Sequence, residues 1–255
     1  MKTIRVLACG ALVASLLVSA NASGGVATGR VPSETVTNGF CRVTVDGRPL
    51  DVFALPKPER AFSFQREVDL HAYGAVFFDS DEEVTVDVVF ANGHKESFAA
   101  KPPFTRVVEN GGRHGSLVVC ANGLEADVPD PKDPKVRWFG PGMHRKGEVR
   151  LLSGDTLYLA PGAVVEAPVF ADGRDIVIRG RGILSGIPWG WTKGPAKYFC
   201  SLRGENIELR DVAIAGSWYW TVVLDGARHV TIDGLRILGG KTLNDDGIDV
   251  CSARD

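Results

Sequence analysis

Several things are scarce in this chain. Its formal charge is only −2 over 255 residues. That excludes a general nucleic-acid surface and a polybasic membrane surface, although a local cleft can carry any charge. Beyond the first residues no run approaches about 20 apolar residues, so nothing there reads as a spanning helix. The cysteines are few and their spacings do not fit a zinc site. His71, His94 and His114 stand in unrelated contexts and read as surface residues rather than ligands. Gly140-Pro141-Gly142 lacks the Lys and Ser/Thr of a phosphate loop and reads as a turn. Helical periodicity is missing too. Nothing in the sequence requires a metal or a cofactor.

What the chain has is turns and short apolar runs. It contains 30 Gly and 14 Pro, which with Asn and Asp punctuate it at short intervals and favour strands over long helices. The first residues read as a secretory signal: Lys2 and Arg5 are basic, Val6–Val18 is apolar, and Ala20-Asn21-Ala22 suits cleavage after Ala22. Residues 1–22 are therefore expected to be removed and the mature protein to be secreted or periplasmic, with no membrane attachment afterwards. Export permits disulfides. Cys41, Cys120, Cys200 and Cys251 remain after cleavage, and four cysteines allow three pairings. A bridge between Cys41 and Cys120 is a reasonable expectation. Cys200 and Cys251 stand in apolar strand-like contexts that suit buried thiols equally well.

Two regions differ in character. Residues 23–128 read as a β-sandwich built from short alternating strands. Val84–Phe90 alternates with period two, and Asp46-Gly47 and Asn92-Gly93 are hairpin signals. Residues 129–135 carry three prolines and read as a stiff linker at a domain boundary. From residue 136 the pattern repeats. Asn206–Ile214 and His229–Ile237 align at a spacing of 23 residues, and an earlier copy at Ile176 precedes Ile207 by 31. The longer step contains the insertion Pro188–Pro195. Strand-turn-strand units at such a period predict a parallel β-helix with aliphatic ladders inside. A leucine-rich repeat would need a regular Leu and Asn frame, which is absent. Trp189, Trp191, Trp218 and Trp220 could stack on sugars, but packing within or over the solenoid is the better reading.

The densest polar segment is Asn244-Asp245-Asp246-Gly247-Ile248-Asp249, with three carboxylates in six residues. Such a cluster is a candidate for acid/base chemistry on sugars. On an extended strand Asn244 and Asp246 would share one side and Asp245 the other, which favours Asp246 as the acting carboxylate. The segment does not fit the EF-hand frame.

Residues 136–255 resemble glycoside hydrolase family 28. The likeness rests on Trp138–His144, Leu152–Val165, Ile178–Leu184, Gly216–Val222 and, most specifically, Asn244–Asp249, which is similar to that family's Asn-Thr-Asp followed by Gly-x-Asp. Family 49, the dextranase group, is similar as well and shares a β-sandwich ahead of a β-helix. The resemblance implies an all-β protein in which an N-terminal β-sandwich precedes a right-handed parallel β-helix. It implies inverting hydrolysis of a polysaccharide, polygalacturonate or a neutral glucan. Asp246 is then the catalytic carboxylate on the side that activates water. Asn244 lies beside it, Asp245 stands at the family's Thr position, and Asp249 shapes or supports the site. In the family the general acid comes from an Asp-Asp pair one coil later, which does not occur by Asp255. The implied β-helix is therefore incomplete and the 255 residues alone are expected to be poorly soluble or inactive. The same gap leaves room for a binding protein that keeps the scaffold without the reaction.

Overall fold

A computed structural model describes residues 26–28, 31–37, 39–56, 72–240, 242 and 244–254. The expected signal at 1–22 and His71 lie outside the described residues, as does the side chain of His114. Among the described residues the architecture is all-β: a sandwich followed by a parallel β-helix.

The sandwich comprises β1 (Cys41–Val45), β2 (Arg48–Leu50), β3 (Phe53–Ala54), β4 (Ala72–Asp79), β5 (Val84–Phe90), β6 (Lys95–Ala100), β7 (Phe104–Asn110) and β8 (Arg113–Asn122). These form two four-stranded sheets, in the orders β2-β1-β5-β6 and β3-β4-β8-β7. Both hairpin signals act as the sequence predicts. Asp46 and Gly47 take φ of 47° and 74° between β1 and β2, and Gly93 takes φ of 90° between β5 and β6. Left-handed geometry at both Asp46 and Gly47 matches the twist of the flanking strands, whereas in the longer second loop Gly93 is the left-handed position. Val43, Val45, Val86 and Val88 of one sheet meet Val76, Phe78, Leu117 and Val119 of the other in a shared core.

The remaining strands are β9 (Val136–Phe139), β10 (Gly142–Arg145), β11 (Val149–Leu151), β12 (Thr156–Leu159), β13 (Ala163–Glu166), β14 (Val169–Gly180), β15 (Ile183–Ser185), β16 (Cys200–Arg210), β17 (Ala213–Ala215), β18 (Val222–Asp225), β19 (Arg228–Asp233), β20 (Arg236–Leu238) and β21 (Ile248–Cys251). They pair in parallel, coil upon coil. Ile176 pairs with Ile207 and Ile207 with Val230, so the 31- and 23-residue steps of the sequence are the steps of the solenoid. Val169, Cys200, Val222 and Ile248 form one ladder, and Ala171, Leu202, Leu224 and Val250 another. Those ladders are buried until β21, where Ile248 is 46% and Val250 68% exposed.

Two glycines hold the corner between the halves of β14 and β16. Gly173 pairs with Gly204, and a Cβ on Gly204, at φ of 119°, would lie 1.8 Å from the Gly173 carbonyl oxygen. Gly204→Ala is expected to destabilise by more than the roughly 1–3 kcal/mol of the backbone conformation alone. Urea unfolding measures it, and an unchanged midpoint would contradict this packing.

The sandwich does not stand apart. Strand β8 is buried on both faces, because Val118 and Cys120 turn away from the sandwich core onto Val164, Ile183, Ala213 and Ala215 of the β-helix. That placement corrects the expected Cys41–Cys120 bridge. Cys41 lies in the sandwich core and Cys120 in the cluster on the other side of its sheet, and both are free. Burial pushes the Cys41 thiol up to about 12 and the Cys120 thiol up to about 11. Cys200 is a buried free thiol, as its context suggested, and is also pushed up to about 12 by burial.

The segment after β8 is tied to the coils rather than free. Glu125 accepts a hydrogen bond from the Tyr158 hydroxyl at 2.6 Å and from Arg179 at 3.3 Å, and the Gly123 carbonyl accepts from Arg181 at 3.0 Å. Arg181, its side chain 9% exposed, also pairs with Asp79 of the sandwich at 3.4 Å and with Asp211 at 2.8 Å.

Candidate functional site

The Asn244–Asp249 segment lies where the chain enters β21 on the outermost described coil. Its backbone is fixed by the coil before it. The Thr221 amide donates to the Asp246 carbonyl at 2.8 Å and the Val222 amide to the Gly247 carbonyl at 3.1 Å, after which Val222 pairs with Ile248 and Val223 with Asp249. This register decides which side chains face outward. Ile248 and Val250 continue interior ladders, so Asp249 continues the outer row above it, which runs through Phe170, Ser201 and Val223.

The alternation argument for Asp246 needs correction. Only Ile248–Cys251 is strand, and Asn244–Gly247 is a turn followed by irregular chain. Side-chain direction there is set by local hydrogen bonds, not by period two. Asp245 folds back and its Oδ2 accepts from the Thr242 amide at 3.0 Å, which makes it a turn-forming residue. Asn244 is half-buried beside it. Asp246 is exposed, and among the described residues no hydrogen bond to its carboxylate is formed. Its side chain is open to solvent.

Asp249 is in a different situation. It is half-buried, and its Oδ2 is shut off from solvent with no hydrogen-bond partner among the described residues. Its pKa is raised, first by burial and then by the Asp246 charge nearby. Two neighbouring carboxylates in unlike environments are a recurring arrangement in acid/base sites. Thr221, on the coil before this pair, is fully buried with its hydroxyl unpartnered among the described residues.

A raised carboxyl pKa means that the fold disfavours the charged form. The associated loss of stability is absent below the unfolded-state pKa and develops as pH rises through the folded-state value. Asp249→Asn should therefore be at least as stable as the parent at pH 7, with its advantage fading in acid near the ordinary carboxylate pKa. Thermal melts at pH 3.5 and pH 7 check this, and a variant less stable at pH 7 than at pH 3.5, relative to the parent, would contradict it.

Of the four tryptophans singled out in the sequence, three are explained by packing around the insertion. Trp218 is fully buried, with Trp189 and Phe199 against it edge-on at 72° and 70°. Its Nε1 donates to the Ala196 carbonyl at 2.8 Å, and Gly194 approaches its ring so closely that a Cβ there would lie 2.0 Å away. Trp191 is half-buried in the same loop. Trp220 is the fourth, and it stacks nearly parallel on Tyr198 and Tyr219, which pattern reading did not single out. The signal was available: Tyr198 precedes Cys200, and Trp220 precedes Val222, by two residues, and Cys200 and Val222 are ladder partners. Among the described residues no group of His, Cys, Asp and Glu could hold a metal ion.

No protein-family model matches the sequence, and no curated protein matches it either. Solved structures do. Dex49A from Penicillium minioluteum superposes with a TM-score of 0.59 at 12% identity, over 89% of this chain and 64% of its own. A candidate glycosyl hydrolase from Parabacteroides merdae is similar over 46% of this chain and 64% of its own, with a TM-score of 0.39 and 19% identity, too slight a likeness to argue from. The chain thus spans about 64% of the length of either protein. At 12% identity the first likeness concerns the fold alone, and it takes in both the sandwich and the β-helix.

Proposed function

We propose that this chain belongs to an exported polysaccharide hydrolase that cleaves glycosidic bonds with inversion. The observation that carries this reading is the Asp246–Asp249 pair: an open carboxylate beside one whose charge the fold disfavours, on the outer surface of a parallel β-helix. Inversion needs a carboxylate that activates water and a carboxylic acid across the bond, about 6.5–9.5 Å away. Asp246 is the water-activating group. Asp249 is its supporting neighbour, half-buried on the same coil with its Oδ2 shut off from solvent. Asn244 and Asp245 shape the turn that presents them. The acid that protonates the leaving oxygen faces this pair across the substrate. The basic, apolar start at Lys2–Ala22 supports export.

Two substrates fit the resemblance, and the layout favours one. A sandwich ahead of the β-helix is the arrangement of the dextranase group, and the likeness to Dex49A extends over both parts of this chain. A neutral glucan such as dextran is therefore preferred to polygalacturonate. Reducing-sugar release by the native protein, expressed from its own gene and offered dextran and polygalacturonate side by side, tests the choice. Release from dextran is expected. Release from polygalacturonate alone would return the reading to family 28, and release from neither, with glycan bound, would make the β-helix a binding protein.

A further inference from the structure

The joint between the sandwich and the β-helix contains a small polar cavity. Asp79 ends β4 and Asn122 ends β8, side by side in register, and both are buried. The Ala27 backbone clamps Asp79, with an amide-to-carbonyl bond of 2.9 Å in each direction. Arg181 reaches the same place from the β-helix, just past the end of β14, with its side chain 9% exposed. The cavity that these residues line measures about 20 Å³. Asp79, Asn122 and Arg181 are its polar side chains, and Phe77, Ala163 and Ile183 belong to its apolar wall.

The hydrogen bonds among these three side chains do not close. A carboxylate only accepts, so the Asn122 amide turns its NH2 group to Asp79 Oδ1, at 3.0 Å. That leaves the Asn122 carbonyl oxygen buried and without a donor among the described residues. Arg181 donates through Nη2 to the Gly123 carbonyl at 3.0 Å, and its Nη1 lies against the Asp211 carboxylate at 2.8 Å. Its Nε stands 3.4 Å from Asp79 Oδ2, longer than a charge-assisted hydrogen bond, and completes none. One buried donor and one buried acceptor thus remain beside a carboxylate oxygen. Folded proteins satisfy nearly all such groups, through protein atoms or ordered water. One water needs about 10–15 Å³ and two to four polar partners. The cavity meets both requirements.

We propose that this cavity is a binding site for a single water molecule, which cross-links the sandwich to the β-helix. The water accepts from the Arg181 Nε–H and donates to the Asn122 carbonyl oxygen and to Asp79 Oδ2. Two of its bonds end on sandwich strands and one on the solenoid, so it completes the joint where the guanidinium falls short of direct contact. The guanidinium repels a cation from the site, and the two acceptors repel a halide. The inference is independent of the hydrolase reading.

A high-resolution crystal structure of the native protein tests the site directly. One ordered oxygen is expected within hydrogen-bonding distance of Arg181 Nε, Asn122 Oδ1 and Asp79 Oδ2. A direct bond from Arg181 to the Asn122 carbonyl that closes the cavity would overturn the proposal. So would anomalous scattering from bromide at this position in a soaked crystal, which would make the occupant a halide. Magnetic relaxation dispersion of the water oxygen counts long-lived internal waters in solution. Asn122→Leu removes the acceptor, and Arg181→Lys keeps the charge but removes Nε. Each is expected to lose one such water relative to the parent, and folded variants with the parent's count would contradict the assignment. Should Asn122→Leu fail to fold, Arg181→Lys carries the solution test, and the crystal of the native protein decides without either.

Discussion

Asp246→Asn is expected to lower kcat by about 10²–10⁴-fold while leaving the fold and glycan affinity close to those of the parent. The reason is local. Asp246 contributes its carbonyl, not its carboxylate, to the coil-to-coil hydrogen bonding, and its side chain is exposed. An amide of the same shape leaves that carbonyl contact in place and loses the ability to take a proton from water. Asp245→Asn differs, because its carboxylate accepts from the Thr242 amide and an amide oxygen can do the same. That variant should keep most activity. Equal loss in both, or loss in neither, would show that the roles within the cluster have been assigned wrongly. Steady-state rates of reducing-end release by the native protein, with far-ultraviolet circular dichroism as a folding control, read the difference.

Arg181→Met is the second large effect, and it concerns stability. Arg181 is buried where the sandwich, the segment after it and the β-helix converge, pairing with Asp79 and Asp211 and donating to the Gly123 carbonyl. Asp79 is buried too, accepts from Asn122 at 3.0 Å, and has its pKa raised by burial in spite of that bond and the guanidinium. Removing the arginine leaves an uncompensated buried charge, which costs about 3–5 kcal/mol. Asp79→Asn in the same chain keeps the acceptor for Asn122 and removes the charge, so the double variant should recover much of the loss. Acid should help the single variant. The Asp79 folded-state pKa lies above its unfolded value, so the penalty shrinks as pH falls through that raised pKa and Asp79 takes up a proton. Urea unfolding at pH 7 and pH 4 checks both statements. A single variant with the parent's stability at pH 7 would show that these charges do not hold the two parts together.

The solenoid was legible because its repeat is a physical step. A coil must return each aliphatic residue to the row of the one before, and Ile176, Ile207 and Val230 record that in their spacing. The eight-residue excess in one step was equally readable as Pro188–Pro195. The hairpins at Asp46-Gly47 and Asn92-Gly93 were legible for the same kind of reason, since few residues tolerate the left-handed backbone that Asp46, Gly47 and Gly93 adopt. Contacts between the parts were not. Leu117–Ala121 is apolar without alternation, the mark of a strand covered on both sides, yet no local pattern says that its second cover is the β-helix. The Cys41–Cys120 expectation failed on that point, because Cys41 lies in the core between the sheets and Cys120 on the far side of the β8 sheet. Within the acidic cluster the residues were identifiable but their environments were not. Period two applies to strands, and Asn244–Gly247 is not one. The burial of Asp249 comes from the outer row of the coil, which only the register reveals.

The most direct test of the account is the anomeric configuration of the first product. Proton magnetic resonance of dextran or isomaltohexaose during early turnover by the native protein should show the β-anomer of the new reducing end appearing before mutarotation, from an α-linked substrate. The signal should fall by about 10²–10⁴-fold in Asp246→Asn. Early appearance of the α-anomer, or undiminished release by the Asp246→Asn protein, would contradict inverting hydrolysis at this site.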